Sequence, residues 1–405
     1  KRSVCNDSIE EKHMGHHLDG KSSIVPLIDR LNKYPIGLPD TDKLRQILAI
    51  LFSEDEAYIA SRFPLTEATL PELVRATKWE AEKLKKQLDV MADKGLVMDT
   101  TYGGKTYYLL MPGLIGFFEF SFMKQRNDLP VAELAQLMHE YLYGDPDQQM
   151  GKEFFGSKTP LVRSLPYEEH IPVASQVATY ESAREIIKSA AYGAIGMCYC
   201  RHKKEHLNQT CDKKAPTKEI CISLGTAAKF MVRRGFAEHR SKEQLLAILE
   251  QARDLNLTHI TDNIRHKPSF ICNCCSCCCE VLGGVNQGFP LGIAKTNYTL
   301  QINAETCLGC GLCKKACNVT ALELFDVENG KNKKQMLVNP DNCLGCGACI
   351  SSCPTNSLTL VAVKRPEIPE KKQDLFKLIL KEKKRLTPFV IGDIKKRISR
   401  ALKIR

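Results

Sequence analysis

The sequence has no long apolar run and no recognisable nucleotide-binding motif. No stretch approaches the roughly 18 apolar residues that a membrane-spanning helix requires, so we expect no helix to cross a membrane. Residues 1–17 (KRSVCNDSIEEKHMGHH) contain no apolar signal core, which argues against secretion. Neither a Gly-x-Gly-x-x-Gly motif after a strand nor a P-loop is present, which excludes the common nucleotide and flavin sites. We therefore expect a cytoplasmic protein that depends on another subunit for substrate chemistry.

Cysteine, in contrast, is abundant, with 19 residues in a chain of 405. A chain this long can bury a hydrophobic core, so disulfides are not needed to hold it together. Apart from Cys5, the cysteines form three clusters: four within 198–221, six within 272–279 and eight within 307–353. Tight clusters in a long chain indicate metal binding in a reducing compartment rather than a disulfide scaffold.

Positive charge is concentrated at the C-terminal end. The chain has a net charge of +11, and residues 364–405 carry 15 Lys and Arg against 5 Asp and Glu, a net charge of +10. The segment FVIGDIKKRISRALKIR places Ile394, Ile398 and Leu402 at helical spacing with basic residues between them. Such a helix is expected to lie on an anionic membrane surface, peripherally at its inner face, or to dock on an acidic partner. A solvated basic helix is the alternative.

Residues 41–110 show the order helix, helix, helix, hairpin. The segment DTDKLRQILAILFS repeats apolar residues at helical spacing, and TLPELVRATKW begins with Thr69 as an N-cap. Gly95 ends a third helix, and LVMDTTYGGKTYYLL predicts two strands around a Gly-Gly turn. This order resembles the winged helix-turn-helix family. The helix at the recognition position, WEAEKLKKQLDVMADKG, balances four lysines against four acidic residues, so protein contact is favoured over nucleic-acid binding.

The middle of the chain is predicted to be helical. The segment FGSKTPLVRSLPYEEHIP (155–172) is rich in proline and is predicted to be an extended linker. The next segment, SAREIIKSAAYGAIGMCYCRHKKEH, is predicted to start a helix that delivers Cys198 and Cys200. Two more amphipathic helices, TAAKFMVRRGF and SKEQLLAILEQARDLNL, then lead into the dense cysteine run.

An internal repeat occupies the last third of the chain. The segment INAETCLGCGLCKKACNVTALEL (302–324) matches VNPDNCLGCGACISSCPTNSLTL (338–360) nearly position by position. Each copy contains three cysteines with two residues between successive ones, a spacing that wraps one loop around three corners of a four-iron cube. The fourth cysteine lies too far round to close the same loop, and zinc sites rarely use this spacing. The predicted metal ligands of the repeat are Cys307, Cys310, Cys313, Cys317, Cys343, Cys346, Cys349 and Cys353.

The doubled motif resembles the bacterial two-cluster [4Fe–4S] ferredoxin family over residues 302–360. In that family the fourth cysteine of each run binds the other cluster. The resemblance therefore implies one cluster held by Cys307, Cys310, Cys313 and Cys353, and a second held by Cys343, Cys346, Cys349 and Cys317. The loop glycines are expected to let the backbone approach the inorganic sulfurs. Asn318 stands where the family usually has proline, and we expect it to loosen one turn.

The ten clustered cysteines in the middle of the chain need a separate explanation. The compartment disfavours disulfides, zinc would use at most four thiols per site, and idle thiols would be an oxidation hazard. The six thiols of 272–279 cannot all serve one cubane, because adjacent side chains diverge. We therefore expect at least one further iron–sulfur cluster, and the choice of ligands within the dense run stays open. The expected ligands are Cys198, Cys200, Cys211, Cys221, Cys272, Cys274, Cys275 and Cys278.

Two further resemblances concern the middle of the chain. Across residues 160–355, CYCR and CNCCSCCC are similar to the CxCR and CNCCxCCC motifs of uncharacterised ferredoxin-like proteins of anaerobes. The pairs Cys274-Cys275 and Cys278-Cys279 resemble the paired cysteines of heterodisulfide reductases, which cleave disulfides at an unusual cluster. The longer spacings of that family, and the glycine after its pair, are missing here.

These features predict an α+β multidomain protein. The leading hypothesis is an iron–sulfur electron-transfer protein or oxidoreductase subunit that relays single electrons between a low-potential donor and a redox enzyme partner. The alternatives are an iron–sulfur redox-sensing winged-helix transcription regulator and a disulfide or thiol reductase that uses the central cluster. The predicted units are 1–40, a lead-in; 41–125, a winged helix-like domain; 126–180, a helix and linker; 181–300, a helical cysteine-rich iron–sulfur domain; 301–362, a two-[4Fe–4S] ferredoxin domain; and 363–405, a basic amphipathic tail.

Overall fold

The computed structural model describes residues 23–172, 178–327 and 333–387. Its N-terminal part is mainly helical, with one small sheet in the strand order β1-β3-β2. The elements are α1 (Ile24–Leu31), α2 (Asp42–Leu51), α3 (Glu54–Ser61), β1 (Ala68–Thr69), α4 (Leu70–Thr77), α5 (Ala81–Asp93), β2 (Val97–Tyr102), β3 (Lys105–Leu110), α6 (Phe118–Phe120), α7 (Val131–Tyr143) and α8 (Gln149–Phe155).

The local predictions for residues 41–110 are confirmed. The apolar stripe of α2 is buried, and Thr41 caps that helix by accepting a hydrogen bond from the backbone of Leu44. Thr69 is the N-cap of α4, and Gly95 follows α5 with a φ of +80°. The strands β2 and β3 pair around the two-glycine turn. The predicted order of three helices and a hairpin is incomplete, because α3 and the short strand β1 also lie between α2 and α4. Membership of the winged-helix family stays a prediction.

The prediction that residues 1–40 form a lead-in outside the folded domains is wrong for the second half of that segment. Residues 24–31 form α1, whose side chains Leu27 and Leu31 are fully buried against the helical core. This helix packs on α3, so the segment is part of the N-terminal unit. The helix was missed because it is short and contains Pro26, which is tolerated in a first turn.

A seven-stranded sheet forms the middle of the molecule, in the order β10-β4-β8-β9-β6-β5-β7. Only the β10–β4 pair is parallel. The helices α11 and α12 pack against the sheet, and α9 shares a hydrophobic cluster with α12 and the strands. The elements are β4 (Val162–Leu165), α9 (Ala183–Ser189), β5 (Gly193–Gly196), α10 (Tyr199–His206), β6 (Cys221–Leu224), α11 (Gly225–Arg233), β7 (Ala237–His239), α12 (Lys242–Asp254), β8 (Thr258–Asp262), β9 (Phe270–Cys274), α13 (Glu280–Asn286) and β10 (Ile293–Ala294).

This sheet corrects two predictions. The middle domain is not helical throughout: the predicted helices α11 and α12 are present, but they pack on a sheet that was not predicted. The predicted linker 155–172 contains β4, which pairs with β8 and β10 inside this sheet. Every residue of β4 and of β8 is buried, including Arg163. Because both faces of these strands are covered, they lack the alternation of apolar and polar residues that marks a half-exposed strand.

The C-terminal part carries two small hairpin sheets, β11–β14 and β12–β13. It ends in a helix that returns to the N-terminal unit, where Leu375 and Ile379 join the helical core. Within the described part of the chain, no helix is both long enough and apolar enough to span a membrane. The elements are β11 (Tyr298–Ile302), α14 (Leu312–Ala316), β12 (Leu322–Asp326), β13 (Lys334–Val338), β14 (Leu358–Ala362) and α15 (Lys372–Glu382).

Candidate metal centres

The structure divides the ten central cysteines into two groups. None of the 18 described cysteines forms a disulfide; Cys5 and the predicted tail helix around Ile394–Leu402 lie outside the described residues. The first group, called the tetrathiolate group, has four Sγ atoms that all lie within 4.8 Å of one another. It consists of Cys211, Cys275, Cys277 and Cys278.

The remaining central thiols form a second, wider group, called the six-thiol group. Its thiols form a chain of neighbours in space, in which each interacts with the next. The order is Cys198, Cys200, Cys279, Cys274, Cys272 and Cys221. The Sγ atoms of Cys221 and Cys272 are 3.7 Å apart. Hydrogen bonds from Cys221 and Cys274 lower the pKa of Cys272 to about 5, a value at which the thiolate can bind metal at neutral pH.

Local structure explains how the six-thiol group is assembled. Cys272 and Cys274 are two residues apart on β9, so both point to the same face of the sheet. Cys221 begins the neighbouring strand β6, while Cys198 and Cys200 lie at the start of α10. Strand β5 interrupts the predicted helix before Cys198. Because β5 belongs to the sheet, it brings the segment of Cys198 and Cys200 next to the other thiols of the group.

A buried ion pair lies beside the six-thiol group. Lys203 Nζ is 2.5 Å from Glu280 Oε1, and both side chains are buried. Tyr143 also donates a hydrogen bond from its hydroxyl to Glu280. Since Lys203 belongs to the helix of Cys200 and Glu280 follows Cys279, the pair holds together the two segments that supply these thiols.

A cavity of about 1100 Å³ adjoins the six-thiol group. Its wall is mainly apolar and comes from the N-terminal unit, the middle sheet and α15, with Met98, Phe155, Tyr199 and Phe376 among its residues. Glu119 also lines this space. Burial raises the pKa of Glu119 to about 7, although backbone hydrogen bonds from Gly116 and Ile115 favour its charged form.

The eight cysteines of the repeat fall into two sets in space. Burial raises the pKa of Cys313 to about 11, and repulsion from its neighbours Cys353, Cys310 and Cys307 adds to the effect. We call these four thiols set A. Burial likewise raises the pKa of Cys346 to about 11, with added repulsion from its neighbours Cys317 and Cys343. Cys349 has these three thiols as neighbours and completes set B. Each set therefore takes its fourth cysteine from the other copy of the repeat, the arrangement that the resemblance implies.

The two sets differ in exposure. In set A, Cys310 is exposed, and Leu308 and Leu312 beside it are 52% and 43% exposed. In set B, Cys346 lies against the middle domain: its carbonyl accepts a hydrogen bond from Tyr167 N at 2.9 Å, and its Sγ is 3.8 Å from Thr258 Oγ1. Set A therefore opens to solvent and set B faces the protein interior.

The loop glycines have a structural role that sequence reasoning missed. Gly309 and Gly345 occupy equivalent positions in the two copies, with φ of +63° and +67°. A Cβ atom would lie 2.1 Å from the carbonyl oxygen of Lys334 at Gly309, and 2.1 Å from that of Tyr298 at Gly345. These glycines therefore let each loop pack against a neighbouring strand.

Two polar side chains, the half-buried Lys213 and the buried Asn318, connect set B with the tetrathiolate group. Lys213 Nζ donates to the carbonyl oxygens of Asn256 and Ala316, at 2.9 and 2.8 Å. Asn318 donates from its amide to Asn256 O at 2.7 Å and accepts from Ser276 N at 3.2 Å. Asn318, predicted to loosen its turn, instead joins the segment of Cys317 to that of Cys275–Cys278.

Sequence reasoning missed two members of these groups, Cys277 and Cys279. The period of two along β9 was a usable signal for placing Cys272 and Cys274 together. No local signal separated the last four cysteines, because residues 275–278 form a turn in which side-chain direction does not follow a fixed period.

Comparison with known proteins gives one match. The family model of the 4Fe-4S dicluster domain matches residues 295–357. This match and the paired thiol sets show that the C-terminal region is ferredoxin-like and binds iron–sulfur. No curated protein and no solved structure matches the chain.

Proposed function

We propose that the chain is an iron–sulfur electron-transfer protein or subunit, which relays single electrons between a low-potential donor and a redox enzyme partner. When bound, [4Fe–4S] clusters supply one-electron exchange at potentials set by their surroundings. The observation that carries the proposal is the asymmetry of the two sets. Set A meets solvent at Cys310, whereas Cys346 of set B lies against the middle domain.

The surface around set A suits an external redox partner. Leu308 and Leu312 flank Cys310, and Phe325 and Leu337 are also exposed on the β12–β13 hairpin. The loop of Leu308 packs on this hairpin at Gly309 and Lys334. Apolar side chains around an accessible ligand set support brief docking of a partner.

The interior side supports transfer towards the central thiols. Lys213 donates a hydrogen bond to the carbonyl of Ala316 in the ferredoxin-like region. Burial lowers the pKa of Lys213, and negative charge on Cys275 and Cys317 opposes this effect by favouring the charged lysine. A cation between two groups of thiolates offsets their mutual repulsion. The middle domain and the ferredoxin-like region are therefore joined at the point where set B approaches the tetrathiolate group.

Stopped-flow reduction tests the direction of this path. A negatively charged low-potential reductant, such as dithionite, should reduce the wild-type protein reversibly in one-electron steps. The variant Cys353→Ser, which damages set A, should slow reduction of the remaining centres by tenfold or more, since the solvent-facing set is lost. Cys317→Ser should instead remove the EPR signal of set B and leave entry at set A fast. Equal slowing in both variants would contradict the proposed path.

A second candidate function, reduction of a disulfide or related substrate at the six-thiol group, is favoured by the adjoining cavity. Disulfide reduction consumes two electrons and two protons and yields two thiols. The ferredoxin-like region is suited to supplying the electrons one at a time. Glu119 lines the cavity and its raised pKa of about 7 lets it hold a proton up to that pH, so it is the candidate proton donor.

Turnover of an apolar organic disulfide with a low-potential donor tests this candidate. The rate should fall as pH rises through about 7, because Glu119 then loses the proton that its raised pKa holds. Glu119→Gln should abolish that pH dependence, whereas the surface variant Glu133→Gln should retain it. Absence of turnover in reduced, cluster-loaded protein would leave electron transfer as the sole function.

The regulator hypothesis has no comparable support. The C-terminal half of α5, the helix at the recognition position, contacts the middle domain through Asp89 and Asp93, which bind Arg234. We propose that this unit makes protein contacts and that the chain has no nucleic-acid partner.

A further inference from the structure

The tetrathiolate group has the dimensions of a site for one metal ion. The Sγ atom of Cys211 lies 3.5 Å from that of Cys275 and 3.7 Å from that of Cys277, and the Sγ atoms of Cys277 and Cys278 are 3.6 Å apart. An ion with metal–sulfur bonds of about 2.3 Å needs tetrahedral edges of about 3.8 Å. The observed spacings therefore fit a single tetrahedral ion.

The ferredoxin-like region provides an internal comparison. We compared groups of three or more His, Cys, Asp or Glu residues by the distances between their ligand atoms. Among the described residues, the tetrathiolate group is the one in which all these atoms lie within 4.8 Å of one another. Neither set A nor set B meets this distance limit, although each contains four thiols. A cluster core keeps its thiolates further apart than a single ion does, since each thiolate binds a different iron. The shorter distances between its sulfur atoms therefore distinguish the tetrathiolate group from the cluster sites of the same chain.

The surroundings match a closed, negatively charged site. Arg201 Nη2 donates to Cys275 Sγ at 3.4 Å and to Asn273 O at 3.0 Å, and its side chain is buried. Cys275 and Cys278 are buried, while Cys211 is half-buried beside a second cavity of about 580 Å³. An ion can therefore enter from the side of Cys211, and the guanidinium offsets the excess thiolate charge.

We propose that Cys211, Cys275, Cys277 and Cys278 bind a single divalent metal ion, zinc or iron, in a site separate from every iron–sulfur cluster of the chain. Four thiolates fill a tetrahedral shell and leave no open position, which is the pattern of a structural site. The ion ties the loop of Cys211 to the turn that follows β9. That turn leads directly into Cys279, so the site also fixes the position of one member of the six-thiol group.

Metal analysis of anaerobically purified full-length protein tests the proposal. Cys277→Ser should lose one equivalent of mononuclear metal per chain and keep its cluster iron. The matched control Cys317→Ser should lose about four irons and keep the mononuclear metal. Loss of about four irons from Cys277→Ser would overturn the proposal, because the thiol would then belong to a cubane.

X-ray absorption of the wild-type protein tests the same point without a variant. At the zinc edge, or after exchange with Co²⁺, the spectrum should show four sulfurs at about 2.3 Å and no neighbouring metal. If the ion is iron, Mössbauer spectra should contain a single-iron component distinct from the clusters. Either metal supports the site. A metal–metal shell, or failure to take up Zn²⁺ or Co²⁺ by protein lacking a mononuclear ion, would overturn it.

Discussion

At the scale of single residues, Asn318 connects three segments through one side-chain amide. Its Nδ2 donates to Asn256 O at 2.7 Å and to Thr258 Oγ1 at 3.0 Å, while its Oδ1 accepts from Ser276 N at 3.2 Å. The residue is 2% exposed and follows Cys317 of set B. A proline at this position would fix the turn but remove all three hydrogen bonds.

We predict that Asn318→Pro destabilises the protein although it restores the usual motif of the ferredoxin family. Loss of three buried hydrogen bonds, one of which leaves Ser276 N without its partner, should cost about 2–3 kcal/mol of unfolding free energy. All cysteine ligands are unchanged, so iron content should stay the same. Denaturant unfolding of anaerobic protein measures the cost.

Gln335→Ala is the matched control, since Gln335 donates one exposed hydrogen bond at 3.2 Å within the same region. It should change the unfolding free energy by less than about 0.5 kcal/mol. A neutral or stabilising effect of Asn318→Pro would show that the amide does not anchor the ferredoxin-like region.

The role of Asn318 also shows what the sequence could and could not predict of the candidate sites. The eight thiols of the repeat were identified because their spacing is local and repeated. Asn318 was recognised as unusual, but its partners lie 42 to 62 residues away, so no local pattern could reveal its role. The division of 275–279 between two thiol groups depends in the same way on the distant Cys200 and Cys211.

At the scale of elements, α11 joins the middle sheet to the N-terminal unit. Arg234, just after α11, contacts Asp89 and Asp93 of α5 and Asp99 of β2, at 3.0, 2.9 and 2.9 Å. Arg233 also binds Asp99. Burial alone would raise the pKa of Asp99, but the hydrogen bonds from Arg234 and Arg233 outweigh it and lower that pKa.

We predict that Arg234→Gln weakens this connection and costs about 1–2 kcal/mol of unfolding free energy, because the buried Asp99 loses its strongest partner. Faster proteolysis between the N-terminal unit and the middle domain should accompany the loss. Arg240→Gln is the control, since Arg240 binds Glu219 and Glu238, whose side chains are 63% and 74% exposed. An equal effect of both variants would mean that the Arg234 contacts are no stronger than surface ion pairs.

Elements differed sharply in how well the sequence predicted them. The helices α2, α4 and α5 carry a clear apolar stripe and capping residues, so their positions were predictable. The strands β4 and β8 have four and five residues and are buried on both faces. They therefore show no alternation of apolar and polar residues, and they are too short to be identified as strands by their length. The sheet depends on pairing between segments about 100 residues apart, as in the contact of Val162 with Asp262.

At the scale of the whole molecule, α15 closes the chain back onto its beginning. Leu375, Ile379 and Leu380 are at most 1% exposed. Lys383 and Arg385 bind Glu153 of α8, with nitrogen–oxygen distances of 2.9 and 2.6 Å. The first half of the predicted basic tail is therefore part of the folded body.

The basic tail thus has two parts with different expected roles. Residues 388–405 hold six Lys and Arg against one Asp, a net charge of +5, and lie outside the described residues. We propose that any contact with an anionic membrane surface or an acidic partner resides in this terminal part. Residues 364–387 serve the fold instead.

Two truncations separate these roles. Removing residues 388–405 should leave stability unchanged, whereas removing 364–405 should cost about 5 kcal/mol or more, because three apolar side chains lose their burial. That loss is comparable with the whole stability of many domains, so the shorter chain should aggregate or melt far below the full-length protein.

Co-sedimentation with phosphatidylserine vesicles should then be lost in the 388–405 truncation, and it should weaken with salt because the attraction is electrostatic. Equal pelleting of the truncated and full-length proteins would exclude this segment as the contact, and intact folding without 364–405 would contradict the structural role of α15.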